Sequence, residues 1–86
     1  MLYIVIDDCV AYVEIGELVE RAREEGHRVE ICTTFKTSGD AIDNIRRLMN
    51  EANIEPEETH IISNGAAEFV AALILGADFT WALDIY

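Results

Sequence analysis

Apolar residues recur along this chain with two different periods, and each change of period marks a new element. Leu2–Ile6 is an unbroken apolar run, which predicts a strand covered on both faces. Ile15, Leu18, Val19 and Ala22 then fall at helical spacing, with Glu14, Glu17, Glu20, Arg21 and Glu24 facing away from them. Gly26 reads as the stop of that helix, and Arg28–Cys32 as a second strand. Ser38 is the expected N-cap of a second helix, in which Ile42, Ile45, Leu48, Met49 and Ala52 share one face. That helix must end ahead of Pro56, because the residue before a proline avoids helical angles. Thr59–Ser63 predicts a third strand, Ala66–Leu75 a third helix stopped by Gly76, and Phe79–Leu83 a fourth strand.

Strands that alternate with helices build a parallel sheet with helices packed on its faces, so the predicted class is α/β with about four strands and three helices. Right-handed crossovers follow from the twist of the strands. No linker, repeat or low-complexity stretch interrupts residues 1–86, which read as one domain. A domain of 86 residues buries only roughly 60–65% of its unfolded surface, so its core is thin. Helix 66–75 is apolar nearly all round, and two readings stand for it: burial under the sheet, or a homodimer contact.

Charge narrows the range of partners. Seventeen acidic residues against six basic ones give a net charge of −11, a field that repels a phosphate backbone and an anionic membrane surface. Nucleic acid and membrane are therefore not expected partners. No apolar run approaches the roughly 20 residues that span a bilayer. The apolar start lacks a basic leader and meets two aspartates at once, so a cytoplasmic location is expected. Cys9 and Cys32 match neither a disulfide framework nor a zinc spacing, and read as small packed residues.

Ligands of open α/β sheets bind beyond the carboxyl ends of the strands. Those ends carry Asp7 and Asp8, then Thr33 and Thr34, then Ser63 and Asn64. Carboxylates there suit a divalent cation or nucleophilic attack, and hydroxyls and helix-start amides suit an anion. Thr34, Ser63 and Asn64 also have the simpler reading of caps for the helices that follow. Asp7 and Asp8 are adjacent carboxylates whose mutual repulsion a metal or a basic partner would relieve.

These segments resemble the haloacid dehalogenase (HAD) superfamily of aspartate-nucleophile hydrolases. The last third carries the resemblance most specifically, in Pro56-Glu57-Glu58, strand 59–63, Asn64, Glu68, Ala71-Ala72 and Gly76, and the family's spacing is kept without a gap from Asn64 to Gly76. The resemblance implies a capless three-layer Rossmann-like domain in which Asp7 is the nucleophile. Thr33 and Lys36 would hold the phosphoryl oxygens, and Asp7, Asn64 and Glu68 would hold Mg²⁺. The chain departs from the family at Asp7-Asp8-Cys9-Val10-Ala11, where Asp-x-Asp-x-Thr is usual. Cys9 takes the place of the general acid and base, a group typically worth ~10²–10⁴ in rate. Asn64 takes the place of an acidic metal ligand, and Ser63-Asn64 looks like the dehalogenase branch. Two functions follow as expectations. One is a Mg²⁺-dependent phosphatase or phosphotransferase acting on a phosphorylated substrate through an open site. The other is a degenerate binding or assembly module that meets a protein partner. Asp7-Asp8 and Leu75-Gly76-Ala77-Asp78 also look like response-regulator receiver domains, but that family's mid-sheet aspartate and final lysine are missing.

Overall fold

A computed structural model describes residues 1–85 and contains β1 (Leu2–Ile6), α1 (Val13–Glu24), β2 (Arg28–Cys32), α2 (Ser38–Ala52), β3 (Thr59–Ser63), α3 (Ala66–Leu75) and β4 (Asp78–Trp81). Short 3₁₀ turns at Asp7–Cys9, Pro56–Glu58 and Ala82–Asp84 complete the order. All strand pairs are parallel, in the order β2-β1-β3-β4. The α/β class, the four strands and the three helices are those the periodicity predicts.

The continuous apolar run of β1 is explained by its central place in the sheet. Leu2 and Ile4 pack with Ile45, Leu48, Met49, Ala71 and Ala72 beneath α2 and α3. Val5 packs with Ile15, Val19 and Ile62 beneath α1. One helix on one face and two on the other give three layers of Rossmann-like type. Ile4, Ile15, Ile45 and Ile61 are each fully buried, and each contributes about 1.5–3 kcal/mol of transfer free energy.

The helix ends obey local chemistry with one change from expectation. Thr37, not Ser38, caps α2: it is extended, and its Oγ1 accepts the Asp40 amide at 3.1 Å. Ser38 is instead the first helical residue, because a capping side chain must come from a residue outside the helix. The helix stops three residues before Pro56 is reached, on Asn53 in the left-handed region at φ 55°. Asparagine tolerates that conformation better than most residues.

The fourth strand is shorter than its sequence suggests. It stops at Trp81, and the chain turns into the 3₁₀ segment so that Ala82 is buried beneath the α1 side. The predicted extension through Leu83 fails because that amide leaves the sheet direction and donates to Asn64 Oδ1 at 3.0 Å.

The third helix inverts a simple expectation. Its single charged residue, Glu68, is fully buried, while Leu73 and Ile74 are 67% and 62% exposed. Phe69 fixes the helix on β4, stacking on Trp81 and meeting Phe79 edge-on. No helix among the described residues is long and apolar enough to cross a membrane.

Candidate functional site

From β1 the chain steps to β2 on one side, whereas β3 leads to β4 on the other. The reversal falls between the carboxyl ends of β1 and β3, the place where doubly wound sheets bind ligands. Asp7 follows β1 there, Thr33 follows β2, and Asn64 follows β3.

The turn after β1 separates three consecutive residues. The Val10 amide bonds to the Asp7 carbonyl at 3.2 Å, which closes a 3₁₀ turn. Asp7 and Asp8 emerge into solvent, while Cys9 is driven into the core against Ile6, Ile15 and Ile62. Its thiol donates to Asp8 Oδ1 at 3.4 Å. Burial first, then the hydrogen bond and charge of Asp8, then the charge of Glu68, push the Cys9 thiol up to about 11, against a smaller opposing effect of the Asn64 backbone. Such a thiol neither ionises nor exchanges protons readily near neutral pH.

Cys32 lies between Asp7 and Arg47 electrostatically. Burial raises its thiol above the ordinary value, Glu30 and Asp7 add to the effect, and Arg47 opposes it. Thr33, Thr34 and Lys36 are exposed on the irregular segment before α2. Among the described residues, the side chains of Asp7, Thr33 and Lys36 have no hydrogen bond or ion pair. Among the described residues neither Asp7 nor Asp8 has a basic partner, and Asp8 accepts the Cys9 thiol.

The corner after β3 is internally bonded. Ser63 Oγ donates to Glu68 Oε1 at 2.8 Å and accepts the Gly65 amide at 2.9 Å. Glu68 Oε2 is buried with no hydrogen-bond partner among the described residues. Gly65 is what lets the carboxylate lie so close, since a Cβ there would stand 2.7 Å from Oε1. The carboxylate sits in the first turn of α3, where the helix dipole favours negative charge.

Asp7, Asn64 and Glu68 do not fit a magnesium site in this arrangement. Asn64 Oδ1 is occupied by the Leu83 amide, and Glu68 is turned inward to Ser63. Among the described residues, no group of three His, Cys, Asp or Glu side chains is arranged to hold a metal ion.

Ser63, a strand-end residue with the simpler reading of a cap, is the hydrogen-bond partner of the buried acid. Arg47 carries no signal in the sequence as a site residue, yet it lines a cavity beside Thr33. Elsewhere on the α1 side of the sheet, His60 Nε2 meets Thr80 Oγ1 at 2.6 Å, and Tyr3 stacks on its ring. Burial lowers the His60 pKa, with Asp78 opposing, so that the ring favours its neutral form.

No protein-family model, curated protein or solved structure matches this chain.

Proposed function

We propose that this chain is a HAD-fold binding or assembly module that carries out no turnover. The observation that carries this reading is Cys9. At the position where the resemblance expects the general acid and base, the side chain is fully buried and its thiol is pushed up to about 11. A group that mediates proton transfer must reach the reacting atoms and titrate near the working pH. Cys9 does neither. The inward hydrogen bond of Glu68 to Ser63 supports the same reading, since it holds that carboxylate in the interior and not at the open edge beside Asp7.

Hydrolysis of an aryl phosphate, measured with and without Mg²⁺, is expected to be no faster for wild type than for Asp7→Asn. Beryllofluoride with Mg²⁺ is expected to leave the melting temperature unchanged. Turnover by wild type that falls about a hundredfold or more in Asp7→Asn would overturn the proposal. It would support the second reading, an open-site hydrolase in which Asp7 attacks phosphorus while Thr33 and Lys36 hold the phosphoryl oxygens. One observation favours that alternative: Asp7 is exposed at the reversal point of the sheet, with Thr33 and Asn64 at the flanking strand ends.

The assembly half of the proposal rests on α3, whose exposed Val70, Leu73 and Ile74 form an uncharged helix surface in a chain of net charge −11. Two such chains repel each other on average, so a homodimer contact needs a surface free of carboxylates. Sedimentation is expected to show a dimer that Leu73→Glu converts to monomer. A wild type that stays monomeric at high concentration removes the homodimer and leaves the helix to a different protein partner.

A further inference from the structure

β2 is an edge strand, so no further strand covers its outer side. Between its carboxyl half and α2 lies a cavity of about 370 Å³. That volume falls in the range of small-molecule sites, roughly 300–1,000 Å³. The cavity also adjoins the strand ends, where this class of sheet binds its ligands.

Its lining divides by chemistry. Ile31, Phe35 and Leu48 supply an apolar floor, and Thr33, Asn44 and Arg47 supply a polar rim. The exposed Arg47 guanidinium is held along α2 by two neighbours on the same helix. One terminal nitrogen donates to Asn44 Oδ1 at 3.1 Å and the other to Glu51 Oε1 at 3.2 Å. Asn44 is itself oriented, because its Nδ2 donates to the Asp40 carbonyl at 2.9 Å. Two of the five guanidinium donors are used in this way, and the others remain for a ligand. The Thr33 hydroxyl has no protein partner among the described residues. Glu30 also lines the cavity, but its carboxylate is turned to Arg28 at 2.9 Å.

We propose that this cavity binds a small organic carboxylate, with the anionic head on Arg47 and Thr33 and the apolar body on Phe35, Ile31 and Leu48. A planar guanidinium fork matches a carboxylate in shape and charge. The count of charges selects a monoanion over a phosphate dianion. One guanidinium lines the cavity, its charge partly offset by Glu51 at 3.2 Å, and Glu30 and Asp7 lie close enough to bias the neighbouring Cys32 thiol. A second negative charge would meet those carboxylates and a net charge of −11. The inference uses neither the family resemblance nor turnover, so it stands or falls apart from the proposed function.

Amide-resolved NMR titrations of the whole chain test it with three probes: phenylacetate, its uncharged analogue phenylacetamide, and inorganic phosphate. Phenylacetate is expected to move the signals of residues 31–35 and 44–48 saturably. Phenylacetamide is expected to bind about tenfold more weakly or worse, and Arg47→Gln to weaken phenylacetate by a similar factor. Arg47 is exposed, so the variant is expected to keep the wild-type spectrum outside the cavity. The proposal is overturned if phenylacetate leaves those segments unmoved, or if phenylacetamide or Arg47→Gln binds as well as the wild-type pair. Phosphate binding more tightly than phenylacetate overturns it as well.

Discussion

Cys9→Asp is expected to lower stability by about 3 kcal/mol or more, although an acidic residue is what the resemblance to the haloacid dehalogenase pattern would lead one to expect at this position. The side chain at this position is fully buried among Ile6, Ile15 and Ile62, and it faces the charges of Asp8 and Glu68. A carboxylate there would give up its hydration and gain two like-charged neighbours. For a domain whose total stability is on the order of 5–10 kcal/mol, a loss of that size is severe. Urea denaturation followed by the fluorescence of Trp81, the sole tryptophan, measures it. Cys9→Ala is the control, because it removes the thiol without adding charge and should cost only about 1 kcal/mol.

The pH dependence of that deficit has a definite sign. The introduced carboxyl has a raised pKa in the folded state, so it is protonated and tolerated in both states at low pH. Above its unfolded value, about 4, the unfolded chain ionises it freely while the folded chain resists. The deficit relative to wild type should therefore grow as pH rises through that region and shrink as pH falls below it. A variant within about 1 kcal/mol of wild type at neutral pH would show that the corner is open to solvent, and would remove the main support for a module without turnover.

Ser63→Ala is expected to cost about 2–4 kcal/mol, which is large for the loss of one hydroxyl. Glu68 Oε2 already lacks a hydrogen-bond partner, so the substitution strips the buried carboxyl of its one side-chain donor. The Gly65 amide loses its acceptor at the same time. The cost is thus the desolvation of what remains, not the net worth of the bond removed. If so, Ser63→Ala combined with Glu68→Leu should recover most of the loss, since no buried carboxyl is left to satisfy. A double-mutant cycle reads this directly: coupling above about 1 kcal/mol is expected. Additive effects would mean that the two side chains do not support each other in solution.

Much of the architecture was legible as pattern. The apolar run of Leu2–Ile6 implied a strand covered on both sides, and β1 is central with helices on either face. Gly26 and Gly76 are the helix stops that the pattern predicts, and both adopt positive φ, at 85° and 79°. Pattern and structure differ where neighbouring residues offer the same local chemistry. Thr37 and Ser38 are both capping types, and only the course of the backbone decided which one lay outside the helix. Phe79–Leu83 has the composition of one strand, but in the turn that begins at Ala82 the Leu83 amide bonds to Asn64, nineteen residues before Leu83 in the chain.

The candidate site was legible as an edge and not as a set of contacts. Asp7, Thr33 and Asn64 could be assigned to strand ends because the order of elements alone fixes which loops share one edge of a parallel sheet, whereas Lys36 and Glu68 rested on the family resemblance alone. Whether each side chain faces outward was beyond that argument. Cys9 lies two residues after Asp7, and a single 3₁₀ turn sends one into solvent and the other into the core. Glu68 belongs to an apolar helix in which a lone acid would ordinarily face water, yet it is buried because Gly65 leaves room and Ser63 supplies a hydrogen bond.

By itself, then, the sequence determined the period of each segment, and with it the class of fold and the edge where polar residues gather. Those properties follow from short-range sterics and from the apolar repeat, which act within a few residues along the chain. Only the tertiary structure decided which carboxylates are exposed and which acid is interred. It also decided that Arg47 and Thr33 share a cavity. Each of these depends on which distant residues fill the space around a side chain, and no periodicity along the chain encodes that.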